Sequence, residues 1–404
     1  MSYDLLEGVK VVELSLYAFA PSAAAVLADW GADVVKIVPP AVADPMWGSP
    51  IARLPERDVG VEFMWEILNR GKRCAGVDVA QPEGQSVLHD LVAQADVFIT
   101  NLLPDARRRF RVDVDDLHAI NRRLVYARAT GHGARGPERE RGGYDITDFW
   151  ARSGIGHAAS QVSDEFVPLL GPAFGDLTSG TFLAGGIAAA LFRRERTGRG
   201  AVLDVSLLAS GVWVLSPGIV ASRLYDIDTI PRFRHAEAPN PLVAVYTTRD
   251  GRQIYLSGIQ TERHFENFCA VVERPDLLTD ARFATGTARL EHAAECVEVI
   301  DAIFAARTLE EWCAVLPGLT TPWMVVQTAA EASRDPQVVA NGFVVDVEGA
   351  DGTFPLVASP VQVDGAPLTL TRAPDHGEQT EAVLLELGRT WEEIVALKER
   401  GAVL

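Results

Sequence analysis

Short apolar runs alternate with segments of helical periodicity through the first 130 residues of the chain. The run Gly8–Ser15 is typical of a buried strand, and the segment after it predicts a helix with Pro21 in its first turn and an end at Gly31. Ala32–Val38 then predicts a second strand. A strand, a short helix and a strand within about thirty residues form a βαβ unit, which predicts parallel strands and a right-handed crossover.

The same alternation continues and predicts a doubly wound parallel sheet of the Rossmann type. Its further elements are predicted as a helix over Gly84–Gln94, a strand over 95–100, a helix over 113–121 and a strand over Arg123–Thr130. The turn after the first strand reads SLYAFAP and lacks the G-x-G-x-x-G pattern that lets a backbone approach a pyrophosphate. A nicotinamide- or flavin-dependent dehydrogenase is therefore disfavoured.

The pattern changes between residues 225 and 335, where a hairpin signal around Asp250-Gly251 is followed by several amphipathic helices. We expect a smaller α+β second domain over 225–335 and a large α/β domain over 1–224 together with 336–404. The chain closes on a predicted helix with Thr390 as N-cap, Glu393 as its capping-box partner and an end at Gly401.

The composition adds limits on partners. Of the 404 residues, 48% are hydrophobic and 23% charged, as in an ordinary globular protein with a core. With 37 basic and 55 acidic residues the net charge is -18, which argues against non-specific binding to nucleic acid or to an anionic membrane. A polyanionic ligand must therefore meet a local basic patch.

The cysteines and the N-terminus bear on the compartment. Four scattered cysteines form no CxxC pair and no zinc-ligand spacing, so we expect them to be reduced and buried and expect no metal site. They are Cys74, Cys269, Cys296 and Cys313. Because the N-terminus has no signal-peptide pattern and no run of about 18 apolar residues occurs, the expected compartment is the cytoplasm.

One carboxylate, Asp176, lies in a stretch from Leu169 to Phe192 that is otherwise mostly glycine, small and apolar. A buried carboxylate without a partner costs several kcal/mol, so its presence needs a reason. Asp176 either caps the helix that follows, with Thr178 or Ser179 as other candidates for that cap, or serves a ligand. Glycines at 171, 175 and 180 allow a ligand or another backbone to approach closely. The residues alone leave both interpretations open.

Ordered blocks along almost the whole chain resemble the class III coenzyme A transferases. These include formyl-CoA transferase and the carnitine-CoA transferases, with α-methylacyl-CoA racemase as a related branch. The blocks include LLEGVKVVELS, LADWGADVVKIVPP, NRGKRCAGVDVAQPEG, ADVFITNLLPDARRRF, GGYDITDFWARSG and GDLTSGTFLAGGIAAALFRRERTGRG. So many blocks in one order make the resemblance far more specific than any one of them.

The resemblance implies that Asp176 is a nucleophile, since the aspartate of the Gly-Asp pair before the glycine-rich helix has that role in these transferases. Attack on an acyl-CoA thioester then gives a mixed anhydride and next an aspartyl-CoA thioester, and an incoming acid reverses the two steps. Acyl-CoA and a carboxylic acid are thus the implied substrates, and the exchange needs no ATP, metal or permanently bound cofactor. The resemblance also implies an interlocked homodimer.

A coenzyme A site is implied as well, and basic residues are expected to meet its phosphates. Arg70, Lys72 and Arg73 are candidates, together with 107–109. Matching block to block adds Tyr17, Ala18, Asn101, Leu102, Arg109, Phe110 and Tyr144 as residues that contact the coenzyme. Val38 and Pro39 stand where many relatives have an acidic and often a basic residue, so the adenine end of the pocket differs from theirs.

The racemase branch remains an alternative, with Asp176 or Asp145 as base. Its histidine is replaced here by Tyr144, and a phenol, with an ordinary pKa of about 10, is a poor base for an α-proton. Glu237 stands where relatives place a mobile loop or an acidic partner. The block YDITDFWARSG resembles transferases of aryl or branched 2-hydroxy acids. A non-catalytic acyl-CoA-binding protein is the alternative outside the enzymes.

Overall fold

A computed structural model describes residues 3–48, 59–350 and 352–404. The chain begins with β1 (Lys10–Leu14), α1 (Phe19–Asp29), β2 (Asp33–Val38), α2 (Phe63–Asn69), β3 (Arg73–Gly76), α3 (Pro82–Gln94), β4 (Val97–Thr100), α4 (Pro104–Phe110), α5 (Val114–Ile120) and β5 (Val125–Thr130). A π-helix (Asp145–Arg152) comes next, followed by α6 (Ile155–Ser160), α7 (Phe174–Thr197), β6 (Ala201–Ser206), α8 (Leu207–Val214) and α9 (Ser216–Tyr225).

The second half has shorter elements. They are β7 (Val243–Thr247), β8 (Gln253–Ser257), α10 (Thr261–Val271), α11 (Gly286–Glu291), α12 (Ala293–Phe304), α13 (Leu309–Val315), β9 (Trp323–Val325), α14 (Ala329–Ala332), α15 (Pro336–Ala340), β10 (Val344–Gly349), β11 (Gly352–Val357), α16 (Thr380–Glu386) and α17 (Trp391–Glu399). Two compact units result: one comprises Met1–Ala159, Glu165–Thr229 and Pro336–Leu404, and the other comprises Ser160–Asp164 and Ile230–Asp335.

The larger unit is built on a six-stranded sheet in the order β3-β2-β1-β4-β5-β6, and every neighbouring pair is parallel. This confirms the predicted α/β class with a Rossmann-like doubly wound sheet. The predicted first strand and the two that follow the 84–94 and 113–121 segments are found as β1, β4 and β5. The first helix begins at Phe19, so that Pro21 lies in its first turn as expected.

Alternate residues of the strands supply two cores, one on each face of the sheet. Val11 and Val97 point into the core that contains α1 and α7. Val12 and Phe98, their immediate neighbours, point into the core that contains α3, α5 and the two C-terminal helices. The apolar runs in the sequence are continuous because both faces of these strands are covered.

The C-terminal segment closes the second face, and its predicted cap is confirmed. Thr390 accepts the N–H of Glu393 at 3.3 Å, and the Glu393 carboxylate accepts the N–H of Thr390 at 2.8 Å. Ile394 is fully buried against the sheet's second core.

The smaller unit holds the predicted hairpin, in which β7 and β8 run antiparallel and Gly251 adopts a φ of 76° in the turn. Its core combines aliphatic and aromatic side chains, and the Tyr246 and Phe304 rings are stacked at 5.1 Å. Three of the four cysteines are buried, but Cys313 is exposed, and the expectation for it was wrong. Trp312, its neighbour on α13, occupies the buried face of that helix instead.

No single helix in the described residues has both the length and the apolar composition needed to cross a membrane. Together, α8 and α9 meet that test of length and composition, with a bend of 69° between them.

Candidate active site

A cavity of about 440 Å³ lies beyond the carboxyl ends of the central strands. The strand order reverses between β1 and β4, and such a switch point is where doubly wound sheets bind ligands. Tyr17 follows β1, Asn101 follows β4 and Thr130 ends β5, and all three line the cavity. Asp176 reaches the same cavity from the first turn of α7.

Helix α7 starts earlier than the sequence indicated. It begins at Phe174, after Ala173 in the left-handed region with a φ of 59°, so Asp176 is its third residue and does not precede it. It ends at Gly198, whose φ of 70° suits glycine. A β-carbon at position 180 would lie 1.9 Å from Ser22 Oγ, so Gly180 allows α7 to pack closely on α1.

The first N–H groups of α7 are capped from outside the helix. The Gly175 N–H donates to Asp145 Oδ1 at 3.1 Å and to Oδ2 at 3.0 Å, and the Asp176 N–H also faces this carboxylate. A β-carbon at position 175 would lie 2.4 Å from Asp145 Oδ1 and 2.2 Å from the Phe149 ring, so only glycine fits. These two N–H groups are therefore not free to hold a substrate oxyanion.

The predicted capping alternatives within α7 are wrong. Thr178 Oγ1 donates back to the Phe174 carbonyl at 2.9 Å, one turn earlier in the helix. Ser179 is fully buried, and its Oγ finds no hydrogen-bond partner among the described residues. Asp176 does not cap either, because Asp145 already occupies the helix end.

The Asp176 carboxylate is half-buried and accepts no hydrogen bond from any residue in the described part of the chain. Burial, with a further contribution from the negative charge of Asp145, raises the pKa of Asp176 from 3.8 to about 7. Both causes disfavour the charged form, so the ionised carboxylate is more basic than usual. An unpaired carboxylate that faces a cavity is available to react.

Asp145 opens the π-helix, an element often found at functional sites. Burial raises the pKa of Asp145, and the α7 N–H groups oppose that shift. Asp148, one turn further on, anchors the segment: its Oδ2 accepts the Tyr144 N–H at 3.0 Å and the Thr147 hydroxyl at 2.8 Å. His132 Nδ1 lies 2.5 Å from Asp148 Oδ1. The cap on α7 is thus part of a fixed local network.

Two tyrosines predicted to contact coenzyme A face each other at the cavity. Tyr17 and Tyr144 pack edge to face with their ring centroids 5.9 Å apart, and their hydrogen bond raises the pKa of Tyr17. Tyr17 adopts a φ of 64°, which is strained for a bulky residue. Its N–H donates to Asp44 Oδ1 at 3.3 Å, which helps to hold that conformation.

The three basic residues of the NRGKR block are not among the described residues that line the cavity. Lys72 is buried with its Nζ 2.6 Å from Glu13 Oε2, and burial lowers its pKa to about 8. Arg70 pairs with Asp29 at 2.7 Å. Arg73 bridges Asp33 at 2.6 Å and Glu386 at 2.8 Å on the surface.

Glu13 and Lys72 belong to a buried network of two carboxylates and two ammonium groups. Lys36 Nζ lies 2.9 Å from Glu13 Oε1 and 3.2 Å from Asp44 Oδ2. Burial opposes the charge on Glu13, but the two lysines outweigh it and hold the Glu13 pKa at about 2. Asp44 connects this network to the loop that carries Tyr17, because Asp44 Oδ1 accepts the Tyr17 N–H.

Of the other residues predicted to contact coenzyme A, some line the cavity and some do not. Leu102 lines the cavity, and Asn101 does so while its amide exchanges hydrogen bonds of 3.0 and 2.6 Å with the Leu16 backbone. Ala18 is buried in a small apolar cluster. Arg109 stacks on the Phe110 ring at 4.5 Å, and neither is among the described cavity residues. Glu237 lies in a short 3₁₀ helix of the smaller unit.

Sequence reasoning missed three of the arginines that line the cavity, Arg128, Arg139 and Arg141, whereas Arg107 and Arg108 of the predicted 107–109 group also line it. Arg139 and Arg141 are exposed there, each with only a weak pairing to a glutamate, at 3.7 Å in both cases. Arg108 is also exposed at the cavity, whereas Arg128 is paired with Asp204 at 2.6 Å. The signal in the sequence was the charged run PERER directly before Gly142-Gly143.

Comparison with known proteins gives consistent results. The model of CoA-transferase family III matches residues 6–380. The chain is 31% identical to (R)-2-hydroxy-4-methylpentanoate CoA-transferase of Clostridioides difficile, over 99% of each chain. It is 29% identical to cinnamoyl-CoA:phenyllactate CoA-transferase of Clostridium sporogenes, over 98% of this chain and 96% of that protein. A CAIB/BAIF family protein from Brucella suis superimposes with a TM-score of 0.80 at 28% identity, over 96% and 100% of the two chains.

Proposed function

This chain belongs to CoA-transferase family III, and from that premise we propose that it moves coenzyme A from an acyl-CoA to a free carboxylic acid through a covalent intermediate on Asp176. The observation that carries the proposal is the state of this side chain. Asp176 faces the cavity at the switch point of the sheet, and no described residue donates a hydrogen bond to its carboxylate. The local backbone donors are engaged by Asp145 instead.

The proposed exchange of one thioester for another proceeds in four steps. An Asp176 oxygen attacks the thioester carbonyl, the C–S bond breaks, and a mixed anhydride and the CoA thiolate result. The thiolate then attacks the aspartyl carbonyl, which releases the first acid as its carboxylate and leaves an aspartyl-CoA thioester. The second acid repeats both steps in the opposite direction, so that its own thioester forms and Asp176 is regenerated.

A basic carboxylate suits this exchange. Carboxylates are weak nucleophiles, and the raised pKa of Asp176, about 7, makes its ionised form more basic than an ordinary carboxylate while about half of the groups remain ionised at neutral pH. Limited contact with water favours the anhydride as well, because water is the competing nucleophile. Tyr17, Phe19, Leu102 and Leu207 contribute aromatic and aliphatic side chains to the cavity lining, and a bound acyl group would complete the exclusion of water.

The phosphates of coenzyme A require positive charge on a protein of net charge -18. Arg108, Arg139 and Arg141 supply it at the cavity, each exposed and without a buried partner. We propose that these arginines bind the phosphates. Arg70 and Lys72 instead form structural ion pairs with Asp29 and Glu13.

For the acid, we propose a branched or aryl 2-hydroxy acid. The cavity lining includes the apolar side chains of Phe19, Leu102, Leu103 and Leu207, which can contact a branched or aryl group, and the Tyr17 and Tyr144 hydroxyls can meet a 2-hydroxyl group. The names of two relatives, which specify 2-hydroxy-4-methylpentanoate and phenyllactate as substrates, support the same class.

We also propose an interlocked homodimer. The helices α8 and α9 expose Trp213, Leu224 and Tyr225 by 69, 73 and 75%, an apolar face that a second copy of the chain would cover. Light scattering during size-exclusion chromatography tests this, and a monomer at micromolar concentration contradicts it.

The decisive experiment traps the intermediate. The protein is incubated with the CoA thioesters of a branched 2-hydroxy acid, an aryl 2-hydroxy acid and a dicarboxylic acid, and each mixture is treated with hydroxylamine. An aspartyl hydroxamate in the peptide that spans Asp176 is expected, and Asp176→Asn should abolish both the adduct and acid-dependent exchange. Asp78→Asn, the same change at a surface turn carboxylate, is the matched control and should keep both.

The alternatives give different results. An acyl-CoA racemase or isomerase would exchange the α-proton of an acyl-CoA with deuterium from solvent and form no hydroxamate. A non-catalytic acyl-CoA-binding protein would bind the thioester without either reaction. Labelling at any residue other than Asp176 contradicts the proposal.

A further inference from the structure

Asp145 lies beside the proposed nucleophile, yet the exchange steps above do not use it. Its carboxylate accepts the Gly175 N–H through both oxygens, at 3.1 and 3.0 Å, and also faces the Asp176 N–H. Position 175 is closed to any side chain because a β-carbon would lie 2.4 Å from Asp145 Oδ1. The contact is therefore built into the packing of the π-helix against α7.

A free helix N-terminus would stabilise an anion in its first turn. Asp176, the third residue of α7, is placed to receive that stabilisation. A carboxylate held in this way would be less basic and a poorer nucleophile. The Asp145 carboxylate accepts these N–H groups in place of Asp176, and its negative charge lies close to the Asp176 carboxylate.

We propose that Asp145 is a positioning residue for Asp176, which occupies the α7 N–H groups so that the Asp176 carboxylate stays unpaired, basic and directed into the cavity. This inference rests on the proposed function. It concerns how Asp176 is made reactive, whereas the proposed function concerns whether it reacts at all.

The other charged and titratable groups around this end of α7 are accounted for. On the packed elements they are Asp148 and Arg152 of the π-helix, Arg128 of β5 and Asp204 of β6. Arg152 is paired with Glu138. The cavity lining adds Tyr17, Tyr144, Arg107, Arg108, Arg139, Glu140 and Arg141. Asp29 of α1 is paired with Arg70. Asp148 is engaged by His132 and the Tyr144 N–H, and Arg128 by Asp204. The pKa of Asp176 is raised by burial and by the negative charge of Asp145.

The substitution that separates charge from capping is Asp145→Asn. Its amide oxygen still accepts the Gly175 N–H, but the negative charge is gone. Attack requires ionised Asp176, so the rate of acid-dependent CoA exchange in the wild-type protein should fall tenfold for each pH unit below about 7. In Asp145→Asn this acid limb should move to lower pH by about one unit, and the plateau rate should fall a few-fold because the carboxylate is less basic.

Two further variants complete the test. Asp145→Glu keeps the charge and an acceptor and should restore the wild-type acid limb. If Asp145→Asn does not fold, Asp145→Ser replaces it, because serine also removes the negative charge and should also move the acid limb to lower pH. A merely structural cap would lower the melting temperature in these variants and leave the acid limb in place.

The outcomes are distinct. An acid limb of the folded Asn or Ser variant that coincides with that of the wild type overturns the role of Asp145, even though Asp176 is labelled. The absence of any label on wild-type Asp176 overturns the proposed function itself. Asp78→Asn, which also removes one negative charge from a carboxylate that accepts a backbone N–H, should show the wild-type limb.

Discussion

Replacing Asp176 by asparagine should make the protein more stable at neutral and alkaline pH. In the folded protein the pKa of Asp176 is about 7, against an ordinary value of 3.8. The difference is about 3 pH units, and at 1.36 kcal/mol per unit it corresponds to about 4 kcal/mol. Because the side chain is only half-buried, this value is an upper bound and a gain of a few kcal/mol is expected.

The sign follows from proton binding. The folded state holds a proton on Asp176 more tightly than the unfolded state does, so the free energy of unfolding falls as the pH rises from about 4 to about 7. Above pH 7 the full cost of the ionised carboxylate is present. Asparagine carries no such cost, so the advantage of the variant should be largest at pH 8 and vanish near pH 4.

Urea unfolding of the wild type and Asp176→Asn at pH 4.5 and 8, at one protein concentration, measures this difference. Asp78→Asn serves as the control, because it makes the same change in the net charge of an acidic protein. An Asp176→Asn variant that is less stable than the wild type at pH 8 would refute the reasoning, since it would mean that the carboxylate makes favourable contacts in the fold.

Three other predictions concern packing and charge. Glu13→Gln should destabilise the protein by about 3–5 kcal/mol in urea unfolding, because it leaves the buried lysines without their shared carboxylate; a change below 1 kcal/mol contradicts the network. Gly180→Ala should cost about 1–3 kcal/mol because its methyl group would lie 1.9 Å from Ser22 Oγ, whereas Gly185→Ala, with no described atom within 4 Å, should gain up to about 1 kcal/mol. Equal effects at the two glycines would be inconsistent with close packing of α7 on α1. Arg139→Ala and Arg141→Ala should each raise KM for acyl-CoA up to about fivefold and leave KM for the free acid unchanged, while Arg135→Ala in the same loop should change neither. An equal rise in both KM values would contradict a phosphate role.

Much of the larger unit could be predicted because its strands are buried on both faces. Such strands appear as continuous apolar runs, and β1, β2, β4 and β5 were placed to within about two residues. Helix α17 could also be predicted, since the Thr390 capping box is a signal within four residues. Asp176 stood out as the one charge in an apolar stretch, and the ordered blocks indicated the family.

The partners of the charged side chains could not be predicted from the sequence. Lys72 was grouped with the phosphate-binding residues, yet it pairs with Glu13, 59 positions away. The cap of α7 comes from Asp145, 30 positions before Gly175. Nothing in the local sequence around α7 signals a carboxylate from elsewhere, so the helix was expected to cap itself and to begin later.

The sequence by itself determined the α/β class and the family and singled out Asp176 as the candidate nucleophile, because each depends on periodicity or on residues close together in the chain. Only the tertiary structure decided which arginines face the cavity and why Asp176 is unpaired. The physical reason is that an ion pair or a helix cap forms with whatever group the fold brings within about 3 Å, and that distance is set by the packing of α1, α7 and the π-helix rather than by local pattern.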